Sequence, residues 1–122
     1  MLVAGTSTGG SANKKWGRIG DSPVIAAGTY AGAHAAVSCT GWGEYFIRHA
    51  VAHDIEARMA YLGVDLGEAV RQVVMEKLEA HRPGLGGLVA LDREGHAELS
   101  FNTRGMYRGW ANEKGQVQVA IY

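Results

Sequence analysis

The sequence predicts an α+β fold in which a mostly antiparallel sheet is covered on one face by two adjacent helices. Apolar residues recur at helical spacing through the middle of the chain, between segments of strand length. The later strand-like segments are separated by turn-forming residues, which is typical of hairpins. Hairpin strands beside a pair of helices favour an α+β architecture. We expect residues 1–122 to form a single domain.

The first part of the chain is expected to hold two strands and a loop. Leu2 to Ser7 has the pattern of the end of a strand, which Thr8-Gly9-Gly10 terminates. Ser11 to Pro23 is polar and lacks both strand and helix periodicity, so a loop is predicted there. Ala35 to Thr40 is a run of small residues that predicts the second strand, and it leads into Gly41-Trp42-Gly43.

Two helices are predicted to follow. Within Glu44 to Leu62 one apolar stripe indicates the first helix, and its members are Ile47, Val51, Ile55, Met59 and Leu62. Asp65, followed three residues later by Glu68, forms a capping box for a second helix whose stripe extends to Leu78. Pro83-Gly84 then ends the helical region.

The last part of the chain predicts a hairpin and a final strand. Leu88 to Asp92 and Ala97 to Asn102 are strand-like and flank the turn Arg93-Glu94-Gly95, and Val117 to Tyr122 is the last strand. The predicted order is therefore β-β-α-α-β-β-β. Because the second face of such a sheet must also be covered, we expect a further layer from another polypeptide.

Composition narrows the classes of partner. Twelve basic residues balance twelve acidic ones, which gives no electrostatic reason to expect nucleic acid or an anionic membrane. Apolar stretches fall short of the roughly 20 residues that span a bilayer. Met1 to Gly5 has no basic region of a signal peptide, and the single cysteine, Cys39, favours a reducing compartment. We expect a cytoplasmic protein with small-molecule or protein partners, with no cofactor and no metal.

Four residues suggest a site for an amino acid. Arg18 offers a planar fork that binds a carboxylate with two hydrogen bonds, and Asp21 can accept hydrogen bonds from an ammonium group. Thr40 and Gly41 lie at a strand-to-helix turn, where a hydroxyl and a backbone N–H can converge on an oxyanion. From the residues alone, a loop-stabilising ion pair between Arg18 and Asp21 is an equally good interpretation.

Three other residues have simpler interpretations than catalysis. His49 and His53 stand at i and i+4 but lack the glutamate of a zinc protease motif, so a solvated or packed helix face is favoured. Cys39 lies among small residues with no adjacent histidine, which favours a buried hydrophobe. The three tryptophans are expected to pack.

Seven collinear motifs resemble one family over nearly the whole chain. They are T-S-T-G-G at Thr6, N-K at Asn13, G-R-I-G-D-S-P at Gly17, G-T-Y-A at Gly28, V-S-C-T-G-W-G-E at Val37, G-L-G-G-L at Gly84 and F-N-T-R-G-M-Y-R at Phe101. The set is similar to the β-subunit of plant-type L-asparaginases and isoaspartyl peptidases, which are N-terminal nucleophile hydrolases. The resemblance implies half of a four-layer αββα sandwich, an α-subunit cut from the same precursor and a second αβ unit.

The resemblance also assigns roles to residues. It implies that Arg18 binds the substrate α-carboxylate and that Asp21 binds the α-ammonium, with the Gly43 carbonyl nearby. Thr40 and Gly41 are implied to form the oxyanion hole, and Thr8 to lie beside the nucleophile. The implied substrates are L-asparagine and β-aspartyl dipeptides.

One feature departs from the family pattern. The family's β-subunit opens with T-x-G-x-V-A-x-D, whose threonine is the nucleophile, and this sequence is expected to start about a dozen residues after that position. Leu85 to Asp92, L-G-G-L-V-A-L-D, resembles the opening but places leucine where the nucleophile would stand. We therefore expect residues 1–122 alone to be inactive. Alternative interpretations are an inactive scaffold or amino-acid-binding remnant of the same fold, and a glycosylasparaginase-like hydrolase.

Overall fold

Six strands and four helices make up the chain, which a computed structural model describes over residues 1–122. The strands are β1 (Thr29–Ala31), β2 (Ala35–Gly41), β3 (Gly86–Asp92), β4 (Ala97–Phe101), β5 (Arg108–Ala111) and β6 (Val117–Ala120). The helices are α1 (Gly43–His49), α2 (Val51–Leu62), α3 (Leu66–Arg71) and α4 (Glu79–His81), and a π-helical segment (Gln72–Leu78) joins α3 to α4. None of these helices has both the length and the apolarity to cross a bilayer.

The strands form two antiparallel sheets. One has the order β1-β2-β3-β4, and β5 pairs with β6 in a separate hairpin. In the larger sheet Val37 lies opposite Ala90, and Ala90 lies opposite Glu98. The predicted α+β class, the strand at Ala35 and the hairpin after Leu88 are confirmed.

The core lies between the helices and one face of the larger sheet. Val37 and Leu88 contribute from the sheet, and Ile55, Val70 and Val74 contribute from the helical layer, all with 0 to 1% of their surface exposed. Full burial of each such side chain contributes about 1.5 to 3 kcal/mol. The helical layer is thus fixed against β2, the strand that leads into the candidate site.

The opposite face of the sheet has no helical cover. Val89 and Leu91 point to this face, because side chains alternate along a strand, and both remain about 40% exposed. Val3 and Trp110 lie against the same face and help to line a small, mainly apolar cavity. A covering layer from another polypeptide stays a prediction.

The predicted strand at Leu2 to Ser7 is wrong. The segment lies beside β2 through side chains, because Thr6 Oγ1 donates to the Gly28 carbonyl at 3.0 Å and Ser38 Oγ donates to the Gly5 carbonyl at 3.2 Å. β2 is already paired with β1 on one side and with β3 on the other, so the segment does not form a backbone ladder with it.

The predicted helix from Glu44 to Leu62 is interrupted at Ala50. Ala50 adopts a left-handed conformation, with φ of 46°, and separates α1 from α2. The break allows the amides of Ala52 and His53 to donate to the carbonyls of Ala27 and Ala26, at 3.1 and 2.9 Å. These long-range hydrogen bonds cap α2, and no periodicity in the sequence reveals them.

The predicted second helix is confirmed at its start and at its end before Pro83. Asp65 accepts a hydrogen bond from the Glu68 amide at 2.8 Å, as a helix cap requires. The Glu68 side chain binds Arg71 instead of returning to the Asp65 amide, so only half of the capping box forms. Helical structure continues three residues beyond Leu78 to His81, before the extended residue that precedes Pro83.

Candidate active site

A polar cavity of about 740 Å³ opens where β2 runs into α1. Of the six predicted site residues, the five Thr8, Arg18, Asp21, Thr40 and Gly41 line it. The other lining residues are Gly10, Ser11, Ala12, Ser22, Trp42, Glu44, Tyr45 and Arg48. The fold therefore brings together residues that lie more than thirty positions apart in the sequence.

Asp21 is the most unusual group in the cavity. It is only 5% exposed, and its Oδ2 is the chain's one buried side-chain polar atom without a hydrogen-bond partner. Burial raises the pKa of the Asp21 carboxyl, although backbone hydrogen bonds and the charge of Arg18 lower it in part. The Asp21 carbonyl is held by the amides of Val24 and Gly28, at 2.9 and 3.1 Å. Asp21 thus lines the cavity with a buried carboxylate, one oxygen of which has no donor inside the chain.

Gly43, the sixth predicted residue, gives Asp21 its space. A Cβ atom at this position would lie 2.7 Å from Asp21 Oδ1 and 3.3 Å from Arg18 Nη2. Gly43 is the first residue of α1 and is itself buried. Any larger residue would push the carboxylate and the guanidinium away from the start of the helix.

Arg18 forms its ion pair with Glu44 and not with Asp21. Its Nε and Nη2 both donate to Glu44 Oε1, at 3.2 and 2.9 Å, while Nη1 has no acceptor. The interpretation of Arg18 and Asp21 as a loop-stabilising ion pair is therefore wrong. Backbone hydrogen bonding and the Arg18 guanidinium hold the pKa of the Glu44 carboxyl below its usual range. Glu44 thus orients the edge of the Arg18 guanidinium that carries Nε and Nη2, and it leaves Nη1 available.

Thr40 and Gly41 occupy the exposed end of β2. The Thr40 hydroxyl has no partner in the chain, and Gly41 has a positive φ of 146° beside Gly86, at 154°. A Cβ atom on Gly41 would lie 2.7 Å from the Gly86 Cα, so the two strands approach too closely for a side chain. The next amide, that of Trp42, is fixed by the Leu85 carbonyl at 2.8 Å. The turn is thus held rigidly and presents a free hydroxyl to the cavity.

Thr8 lies on the opposite wall of the cavity. Its Oγ1 accepts a hydrogen bond from the Gly10 amide at 3.0 Å, which forms a tight local turn. Because the hydroxyl accepts in this contact, its proton remains available to another group.

Sequence reasoning missed part of the cavity wall. Glu44, Tyr45 and Arg48 come from α1, and the i, i+4 spacing of Glu44 and Arg48 is the signal that would have placed them on one helix face. Trp42 is also not packed as expected. It is 53% exposed, and the Arg82 guanidinium lies 4.6 Å from the centre of its ring.

The cysteine and the histidines have no part in the cavity. Cys39 is buried, and burial raises the pKa of its thiol, which confirms the interpretation as a small hydrophobe. His49 and His53 belong to different helices because of the break at Ala50. His53 packs edge-on against Tyr30 at 5.0 Å between ring centres, and His49 packs against His81 at 4.2 Å.

The fold and cavity define a class of protein, an α+β chain whose strand-to-helix turn borders a polar cavity that holds an arginine and a buried aspartate. The model of the asparaginase family matches residues 1–121, and the chain belongs to that family. The chain is 55% identical to an isoaspartyl peptidase of Escherichia coli K12 over 122 residues, which are 99% of the chain and 38% of that protein.

Relatives outside the bacteria also match nearly the whole chain. The chain is 50% identical to a probable isoaspartyl peptidase/L-asparaginase 2 of Arabidopsis thaliana, over 98% of the chain and 36% of that protein. It is 37% identical to a plant-type L-asparaginase of Pyrococcus furiosus, over 92% of the chain and 36% of that protein. The chain thus spans less than two fifths of the length of these relatives.

Proposed function

We propose that the chain is the β-subunit portion of an amidohydrolase that cleaves the side-chain amide of L-asparagine and the isopeptide bond of β-aspartyl dipeptides. The names of the similar proteins support this activity, and the resemblance supports an α-subunit partner and a dimer of αβ units. In that assembly the uncovered sheet face would be one inner face of a four-layer αββα sandwich. Val89 and Leu91, which are exposed here, would be buried there.

The partnerless Oδ2 of Asp21 is the observation that carries the proposal. A buried carboxylate with an unsatisfied oxygen is costly, and a substrate ammonium group bound in the cavity would compensate the charge of the Asp21 carboxylate. Arg18 lies in the same cavity with Nη1 free, so the α-carboxylate of the same substrate can bind beside the ammonium. Together these residues match the two charged groups of a free amino acid.

The reaction then takes place at the end of β2. Thr40 and Gly41 would donate hydrogen bonds to the oxyanion that forms when the substrate carbonyl is attacked. A threonine from the part of the relatives that this chain does not span would be the nucleophile, with its own α-amine as base. Thr8 would donate its free hydroxyl proton toward that threonine. Loss of ammonia or of an amino acid leaves an acyl-enzyme, which water cleaves to L-aspartate.

Activity of the protein expressed from its full coding sequence tests the proposal. We expect ammonia from L-asparagine and leucine from β-aspartyl-leucine. Arg18→Gln should abolish most of both activities, and Arg93→Gln should not, because Arg93 lies at the far end of β3, away from the cavity. Binding of L-aspartate without any turnover would contradict the proposal and support an inactive amino-acid-binding protein.

A further inference from the structure

Arg48 is the one charged residue of the cavity that the proposed function leaves unused. It lies on α1, lines the cavity and is exposed. The other charged groups are accounted for, since Arg18 pairs with Glu44 and Asp21 awaits a cation. Arg48 forms no ion pair and no side-chain hydrogen bond within the chain. A free arginine at the wall of a cavity is suited to bind an anionic group of a ligand.

The spacing along α1 places Arg48 about one helical turn from Glu44, the residue that holds Arg18. Glu44, which holds Arg18, is four residues before Arg48, and four residues of helix rise about 6 Å. Two residues of extended peptide span about 7 Å. A β-aspartyl dipeptide bound by Arg18 through its α-carboxylate therefore has the length to bring its second carboxylate toward Arg48. L-Asparagine is shorter and has no second carboxylate.

The surroundings of Arg48 add positive charge. Lys77 lies close to the end of α1, where its Nζ donates to the His49 carbonyl at 3.4 Å. His81 packs against His49, and Arg82 covers Trp42. The pKa of His49 is lowered by burial and then by the charges of His81, Lys77 and Arg48.

The acidic groups nearby pair with other residues and not with Arg48. Glu44 binds Arg18, and Asp54 is shared by Arg58 and Lys77, at 3.2 and 3.0 Å. Arg48 is thus a second guanidinium of the cavity, besides Arg18, and no carboxylate of the chain pairs with it.

We propose that Arg48 binds the C-terminal carboxylate of the leaving residue and so selects β-aspartyl peptides with a free C-terminus. This inference rests on the proposed function and adds to it the residue that distinguishes a dipeptide from asparagine. The contact lies away from the reacting carbonyl, so it contributes to kcat/KM through binding of the leaving residue.

Three substrates distinguish binding of the C-terminal carboxylate by Arg48 from a role at the aspartyl end of the substrate or in the fold. They are L-asparagine, β-aspartyl-leucine and β-aspartyl-leucine amide, and the last differs from the dipeptide only in the missing C-terminal charge. The variants are Arg48→Gln, Arg48→Lys and the distant control Arg93→Gln, in the protein expressed from its full coding sequence. A charge-assisted hydrogen bond is worth about 1.5 to 3 kcal/mol, or about ten- to a hundredfold.

We expect Arg48→Gln to lower kcat/KM for β-aspartyl-leucine by about ten- to a hundredfold. For L-asparagine and β-aspartyl-leucine amide, kcat/KM should change by less than about twofold. Arg48→Lys should give an intermediate loss, since it keeps the charge without the fork. The wild-type protein should prefer the free dipeptide over its amide by about the factor that Arg48→Gln removes.

An equal loss on all three substrates would overturn the inference, because Arg48 would then act on the aspartyl end or on the fold. No loss on the free dipeptide would overturn it as well. In both cases wild-type turnover would leave the proposed function standing. A wild-type protein that hydrolyses none of the three substrates would overturn the proposed function and, with it, the role of Arg48.

Discussion

Replacing Asp21 by asparagine is expected to stabilise the protein while it weakens the binding of amino acids. The side chain is buried, and its Oδ2 has no donor inside the chain. Asparagine keeps the shape and removes the uncompensated charge. We expect a gain of about 1 to 2 kcal/mol in the free energy of unfolding near pH 7. Loss of the partner of a substrate ammonium group should weaken binding of L-aspartate by at least about thirtyfold.

Asp92 provides a matched control with the opposite expectation. It is also buried, but its Oδ1 accepts from the amides of Glu94 and His96, and its Oδ2 lies 2.7 Å from His96 Nδ1. Burial alone would raise the pKa of the Asp92 carboxyl, and the hydrogen bonds from His96 outweigh it, so the pKa is lowered. Asp92→Asn should therefore destabilise the protein by about 1 to 3 kcal/mol near pH 7.

The dependence on pH distinguishes the two aspartates from ordinary packing effects. The pKa of Asp21 is raised on folding, so its favourable contribution is complete below the ordinary pKa of about 3.9 and is lost as the pH rises through the folded value. The lowered pKa of Asp92 gives a contribution that is present above about 3.9 and is lost as the pH falls through the folded value. The difference in free energy of unfolding between each asparagine variant and the wild-type protein should shrink as the pH is lowered. It begins as a gain for Asp21→Asn and as a loss for Asp92→Asn.

Denaturant unfolding of the full-length protein at several pH values measures these differences. The reasoning about Asp21 would be refuted if Asp21→Asn destabilised the protein near neutral pH as much as Asp92→Asn does. It would also be refuted if the stability gain occurred while binding of L-aspartate stayed unchanged.

Two further predictions use the kinetics and the helix break. Arg18→Lys should mainly raise KM, because the α-carboxylate does not react, whereas Thr40→Val should lower kcat by roughly a hundred- to a thousandfold, because its hydroxyl meets charge only in the transition state. Steady-state kinetics with the opposite partition would remove Thr40 from the oxyanion hole. Ala50→Gly should raise the free energy of unfolding by about 1 kcal/mol, because glycine relieves the left-handed strain, and Ala57→Gly inside α2 should lower it by about the same amount. Calorimetry that finds both glycines destabilising would contradict the assignment of strain to Ala50.

The elements with a strong local pattern could be predicted from the sequence. The run from Ala35, the hairpin around Arg93-Glu94-Gly95 and the cap at Asp65 each depend on neighbouring residues, and all three are present in the structure. The strands β1 and β5 were missed because they have three and four residues and no apolar alternation. The break at Ala50 depends on carbonyls more than twenty residues away, which periodicity cannot detect.

In the candidate site, likewise, some features could be predicted from the sequence and others could not. Motif resemblance was enough to select five residues that line one cavity, because the motifs at Thr6, Gly17 and Val37 all contribute to its wall. The partners of those residues depend on tertiary geometry. Arg18 pairs with Glu44, twenty-six positions away, and the cavity wall extends one helical turn further to Arg48. Neither fact follows from the composition of the loops.

Binding of L-aspartate, the expected product, tests the central claim most directly. In a crystal structure of the full-length protein with L-aspartate, the ammonium group should lie within hydrogen-bond distance of the Asp21 carboxylate, and the α-carboxylate should contact Arg18. The β-carboxylate should lie at Thr40 and Gly41. An aspartate bound elsewhere, or one whose ammonium group makes no contact with the Asp21 carboxylate, would contradict the proposed amidohydrolase site.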